Sequence, residues 1–130
     1  MTALAYVDAS ALVKLVVDED ESAALLRWYV EAERLVTSRI GVVETIRASS
    51  RRAHDSARRT RVITDLEVYE LDSAIAAVAA ALEPPALRSL DAIHLATALA
   101  LVPDLDAFVT YDDRLADAAR ALGLPVVRPA

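Results

Sequence analysis

The sequence predicts an α/β fold with a mostly parallel sheet covered by helices on both faces. Three observations predict it. Short apolar runs alternate along the chain with segments whose apolar residues recur at helical spacing. Most of those runs are continuous rather than alternating, as strands buried on both faces are. Capping and stop residues, Asp8, Pro84-Pro85 and Gly123 among them, fall at the joins.

Leu4-Ala5-Tyr6-Val7 is the first buried strand, ending at Asp8. Asp8-Ala9-Ser10 supplies helix-start chemistry for a helix from Ala11 to Val17. The acidic run Asp18 to Glu21, followed by Ser22, opens a second helix, where Ala24, Leu25, Trp28, Tyr29 and Ala32 share a face. Leu35-Val36-Thr37 is a short strand. Ile40 to Val43 leads into a long polar helix through Glu44, Arg47 and Arg51. Residues 66–71 alternate apolar and polar and predict a strand. Ser73 to Leu82 is alanine-rich helix stopped by Pro84-Pro85. Ser89-Leu90-Asp91 opens a helix that runs from Ala92 to Leu101 and ends near Pro103. Ala107 to Thr110 is a strand, and Asp113 to Leu122 a helix with Gly123 as its stop. Pro125-Val126-Val127 is the last short strand.

A chain of 130 residues with 55% apolar content can build one proper core, so a single domain over 1–130 is expected and disorder is not. No apolar run approaches a membrane span, and the first residues lack the basic region of a signal peptide. The absence of cysteine excludes thiolate metal sites, disulfides and a cysteine nucleophile, and fits a cytoplasmic protein. A net charge of −6 argues against indiscriminate binding to polyanions. Yet Arg47, Arg51, Arg52, Arg58, Arg59 and Arg61 fall within fifteen residues, opposed there only by Asp55. Alone, that stretch reads as a solvated helix face before it reads as a nucleic-acid groove.

Four acids stand at the edges of segments that must be buried: Asp8, Glu44, Asp91 and Asp112. In open α/β sheets the ligand crevice lies beyond the carboxyl ends of the strands. Asp8 lies just past the first strand and Asp112 two residues past Thr110, so topology brings both there. Such a cluster repels itself and raises its own pKa values unless a cation sits in it, and an all-oxygen set suits Mg²⁺ or Mn²⁺. Each acid also has a structural reading. Asp8 can be an N-cap, Asp91 a first-turn acid, Asp112-Asp113 a polar turn, and Glu44 a partner of Arg47 or Arg51.

The strings around the four acids resemble the PIN-domain ribonucleases, and within them the VapC-type toxins of toxin–antitoxin pairs. The matching pieces are Y-V-D-A-S-A-L-V-K-L at 6–15, G-V-V-E-T-I-R-A at 41–48, L-R-S-L-D-A-I-H-L-A-T-A-L at 87–99 and F-V-T-Y-D-D-R-L at 108–115. The resemblance implies a three-layer α/β/α domain with a parallel sheet of about five strands. It implies a metal site on Asp8, Glu44, Asp91 and Asp112, with the hydroxyls of Ser10 and Thr110 behind the carboxylates. Asp113 is the substitute ligand at the last corner. Arg47, one helical turn past Glu44, is a candidate for the scissile phosphate. The implied reaction is Mg²⁺- or Mn²⁺-dependent hydrolysis of RNA, leaving 5′-phosphate and 3′-hydroxyl ends. The implied partners are a cognate antitoxin and a second copy in a homodimer. One edge of the Leu25, Trp28, Tyr29 stripe is a candidate docking surface.

His94 sits inside an apolar helix and is expected to be buried, and the acids at 18–21 are expected to favour a helix N-terminus. Competing readings fail on particular residues. A receiver-type phosphoacceptor needs a lysine after its last core strand, and the only lysine is Lys14. A haloacid-dehalogenase phosphatase needs a second acid two residues past the first, where Ser10 stands. A PIN nuclease of RNA or DNA processing and a non-catalytic binding module remain as alternatives.

Overall fold

The computed structural model describes residues 2–130. Five strands form one sheet: β1 (Leu4–Val7), β2 (Arg34–Ser38), β3 (Glu67–Tyr69), β4 (Ala107–Val109) and β5 (Val126–Val127). Seven helices join them: α1 (Ala9–Val16), α2 (Ser22–Tyr29), α3 (Arg39–Ser50), α4 (Ser56–Asp65), α5 (Ser73–Ala81), α6 (Ser89–Leu99) and α7 (Asp113–Ala121). The strand order is β3-β2-β1-β4-β5, and every pairing is parallel. The sheet is therefore wholly parallel, where the sequence predicted it mostly so.

Alternation along β1 shows why both faces are covered. Ala5 and Val7 pack with Leu12, Val16 and Leu25 of α1 and α2 on one face. Leu4 and Tyr6 pack with Leu95, Phe108 and Leu115 on the other. A four-residue strand buried on both sides has no polar position, which is why it reads as an unbroken apolar run.

The chain leaves β1 toward β2 and β3 on one side, then crosses to β4 and β5 on the other. The order of connections therefore reverses between β1 and β4, and the crevice of such a sheet opens at their carboxyl ends. Short links sharpen it. Asp8 caps α1 one residue past β1, and Ser38, the last residue of β2, caps α3.

Three expectations need correction. The strand predicted over 66–71 is only Glu67–Tyr69, because it is an edge strand with one neighbour. The arginine-rich stretch is not one helix face: α3 ends at Ser50, and a separate helix, α4, starts behind Asp55, which accepts from the Ala57 and Arg58 amides. The acids at 18–21 do not cap α2, whose N-cap, Glu21, is left-handed at φ 70° and makes no side-chain cap. They are instead an ion-pair hub: Glu19 binds Lys14 and Arg52, Glu21 binds Lys14, and Asp18 binds Arg58.

Candidate active site

Asp8 is the buried centre of the crevice, with 3% of its surface exposed. Its Oδ1 accepts from the Ser10 hydroxyl at 2.7 Å and the Ala11 amide at 3.0 Å, and its Oδ2 accepts from the Thr110 hydroxyl at 2.6 Å. The two hydroxyls are held in turn by backbone. The Tyr111 amide donates to Ser10 Oγ at 2.8 Å and the Asp112 amide to Thr110 Oγ1 at 3.1 Å. Both hydroxyl protons are thus committed to Asp8, which fixes the carboxylate plane from α1 and from the end of β4 at once. Burial still pushes the Asp8 carboxyl above its ordinary range, against the opposing pull of His94 and these hydrogen bonds.

Asp91, in the first turn of α6, is half-buried and accepts no hydrogen bond among the described residues. Burial raises its pKa, and the charges of Asp112 and Glu44 raise it further, against His94 and Arg88. Those couplings put Asp91, Asp112 and Glu44 in one electrostatic neighbourhood. Asp112 caps α7 through Oδ1, which accepts from the Arg114 and Leu115 amides, while its second oxygen has no partner among the described residues. Asp113 turns away: its carboxylate lies 2.7 Å from Arg128 and is largely exposed. Asp112 and Asp113 are thereby distinguished by geometry where the sequence left them adjacent.

Glu44 does not pair with Arg47 or Arg51 along its helix. Its Oε1 lies 2.6 Å from His94 Nε2, reaching from α3 to α6. His94 is buried as expected, yet it touches a candidate site acid, which a helix periodicity cannot reveal. Arg47 is exposed beside Glu44 and has no ion pair among the described residues. It lines a cavity of about 470 Å³ with Ser10, Val13, Glu44, Arg51 and Leu90. Its neighbours in sequence are otherwise engaged: Arg52 and Arg58 hold the acidic hub, and Arg59 donates to Ser49 and Ser50.

As placed, no three carboxylate or imidazole groups among the described residues stand close enough to share one ion. The donor set nevertheless suits a hard divalent cation, being all oxygen, with Asp8 and Asp91 raised in pKa by burial. The structural readings of Asp8, Asp91 and Asp112 hold as well: two are caps and one is a first-turn acid. A cap uses one carboxylate oxygen and leaves capacity on the other, so the two roles do not compete.

The PIN domain family model matches residues 5–121. Ribonuclease VapC46 of Mycobacterium tuberculosis is 43% identical over 126 residues, covering 95% of this chain and 96% of the relative. Ribonuclease VapC35 of the same organism is 46% identical over 129 residues, with the same coverage. Among solved structures, the sarcin–ricin loop cleaving toxin VapC20 of M. tuberculosis superposes with a TM-score of 0.72 at 18% identity, over 96% of this chain and 99% of its own. FitAB bound to an IR36 DNA fragment superposes with a TM-score of 0.66 at 17% identity, over 96% of this chain and 94% of that one. Strand order, the position of the crevice and the near full-length match agree, and the chain belongs to the PIN domain family.

Proposed function

We propose that this chain is a divalent-metal-dependent endoribonuclease, the toxin of a toxin–antitoxin pair. The observation that carries the reading is the convergence of Asp8 and Asp112 at the carboxyl ends of β1 and β4, with Asp91 close enough to feel Asp112 and Glu44. The near full-length identity to curated ribonucleases supports RNA as the substrate. Asp8, Glu44, Asp91 and Asp112 would hold Mg²⁺ or Mn²⁺.

When bound, the cation neutralises the carboxylates, lowers the pKa of a water and stabilises charge on the phosphate. The protein's part is positioning. Ser10 and Thr110 hold both Asp8 oxygens, so that carboxylate needs no reorientation. Hydrolysis would add the oxygen of water to phosphorus and break the bond to the 3′ oxygen, which takes up a proton from solvent as the water loses one, leaving a 5′-phosphate and a 3′-hydroxyl. No covalent intermediate is needed, and His94, engaged at both ring nitrogens, is not a free general base. Arg47 would hold a backbone phosphate at the cavity beside Glu44.

Cleavage of RNA by the purified, partner-free chain tests the reading directly. With Mg²⁺ or Mn²⁺ the wild type should cut. Chelator, Asp91→Asn and Asp112→Asn should each abolish cutting, whereas Asp113→Asn should leave the rate within about twofold, since its exposed pair with Arg128 contributes little. Asn retains the α7 cap, so loss at position 112 reports the charge and not the helix. No metal-dependent cutting by wild type would refute the nuclease reading. Arg47→Ala should raise KM with kcat nearly unchanged, and lower the salt dependence of binding by about one phosphate contact. An unchanged salt slope would remove Arg47 from the RNA path.

An antitoxin and a homodimeric state complete the proposal. In the Leu25, Trp28, Tyr29 stripe, Leu25 is fully buried while Trp28 and Tyr29 are half-buried against the core. Beside it runs a groove of about 430 Å³, in which Leu15, Leu26, Tyr29 and Val62 are flanked by charged residues, Arg58, Arg61 and Asp65 among them. That groove is the docking surface we assign to an amphipathic antitoxin segment. No described helix is long and apolar enough to cross a membrane.

A further inference from the structure

His94 connects the core to the site by a chain of two short hydrogen bonds. Its Nδ1 lies 2.5 Å from the Tyr6 hydroxyl and its Nε2 2.6 Å from Glu44 Oε1. The ring is 2% exposed and Tyr6 is fully buried. Tyr6 stacks on Phe108 at 5.3 Å between ring centroids, 8° from parallel, and meets the His94 ring edge-on at 5.7 Å. On the side of α3, the ring lies against Gly41, where an added Cβ would stand 3.4 Å from His94 Cε1.

Proton counting gives the Glu44 end of the chain a direction. A carboxylate only accepts, a phenol has one proton to give, and a neutral imidazole has one N–H and one bare nitrogen. A carboxylate at Glu44 therefore takes a proton from Nε2, while the Tyr6 hydroxyl meets Nδ1 as donor or as acceptor. A bare Nε2 would leave a lone pair facing a carboxylate.

We propose that Tyr6 holds the His94 ring in place, and that His94, donating from Nε2, in turn holds Glu44 in the crevice as a positioning residue for cleavage. The proposal rests on the nuclease reading for the role of Glu44, but the Nε2 donor does not. A long side chain on the edge of a cleft has several rotamers, and a donor rooted in the core selects one. The hydrogen bond occupies one Glu44 oxygen, and the other has no partner among the described residues. Tyr6 lies two residues before Asp8 and His94 three after Asp91, so the relay ties Glu44 to the elements that carry those two acids. Among the described residues, Glu44 is hydrogen-bonded to a side chain of the core, which Arg47 and Arg51 are not.

Two measurements test this. Long-range ¹H–¹⁵N spectra of metal-free protein labelled at histidine should show His94 with Nε2 protonated. Titration with Mn²⁺ should then show affinity falling on the order of tenfold in Tyr6→Phe and 10–100-fold in His94→Leu, the range for groups behind a metal ligand. His94→Gln, whose side-chain amide can donate to Glu44, should bind Mn²⁺ within about threefold of wild type. That rescue is what a merely space-filling histidine would not predict.

A bare Nε2 overturns the proposal. So does wild-type Mn²⁺ affinity in a folded His94→Leu, or in Tyr6→Phe should His94→Leu not fold. Failure of the wild type to bind Mn²⁺ or cut RNA counts against the nuclease reading instead, and leaves the Nε2 measurement standing.

Discussion

Asp8→Asn is expected to abolish RNA cleavage and, in the same protein, to raise the melting temperature of the metal-free chain at neutral pH. Both effects come from one property: a carboxylate held in a buried place for a ligand. Because burial raises the Asp8 pKa, the folded chain holds that proton more tightly than the unfolded chain does. The resulting stability is fully present below the unfolded carboxylate range, near pH ~4, and is lost as pH rises through the folded value. At neutral pH, ionised Asp8 opposes folding. Asn removes the charge without breaking the network. Its oxygen still accepts from Ser10 and the Ala11 amide, and it caps α1 as well as Asp does. Its amide nitrogen donates to Thr110 Oγ1, whose own proton turns to Ser10 Oγ, 3.3 Å away. The gain should be about 1–2 kcal/mol, or about 3–6 °C in a chain this size. Thermal melts across pH check it. The wild type should lose stability as pH rises from about 4, and recover it in saturating Mn²⁺. Asp8→Asn should keep only the slope due to Asp91, also raised by burial. Cleavage should fall by more than about a hundredfold, beyond what substitutions behind a metal ligand cost. A variant less stable than wild type at pH 7, with cleavage intact, would mark Asp8 as a cap alone.

The strands and the crevice were legible because the rules that create them are local. A strand buried on both faces must be continuously apolar, and a helix that follows it within a residue or two needs a cap. β1 with Asp8 and β4 with Asp112 satisfy both rules in a few residues. Parallel pairing then carries those two acids to one place without further information. What sequence missed depends on partners far along the chain. Arg52 and Arg58 look like a basic surface until the fold lays them on Glu19 and Asp18. The acids at 18–21 look like a helix start because two of their three cationic partners, Arg52 and Arg58, lie tens of residues away. The break between α3 and α4 carries no Gly or Pro, but Asp55 ahead of Ser56 was an available cap signal. The bond from His94 to Glu44 spans fifty residues and three elements, and no spacing rule contains it. Gly41, one turn before Glu44, was quoted in the G-V-V-E string without a reason for being glycine, and the structure supplies one.

Gly41→Ala is expected to displace α3 and cut RNA cleavage by more than tenfold, with Thr37→Ala as its suppressor. A methyl at position 41 would collide with Thr37 Oγ1 and stand 3.5 Å from Thr37 Cβ and 3.4 Å from His94 Cε1. Thr37 cannot retreat. It is fully buried in β2, a strand paired on both sides, with its own backbone registered against Val68. The helix must yield instead, and Glu44 rides on it one turn later. Alanine is the better helix former by about 1 kcal/mol, while overpacking costs about 1–3 kcal/mol. The two nearly cancel, so stability should change by only a few degrees while the position of Glu44 changes more. Thr37 Oγ1 is buried with no hydrogen-bond partner, so removing it forfeits no bond. Thr37→Ala alone should therefore stay active, and the double variant should recover most of the cleavage that Gly41→Ala loses. Single-turnover cleavage rates for the four proteins of this cycle measure the coupling. Additive losses would mean that the close approach of α3 to β2 does not set where Glu44 stands. Recovery would show that a missing methyl group on one helix, matched to a hydroxyl on a neighbouring strand, places a carboxylate that neither residue touches.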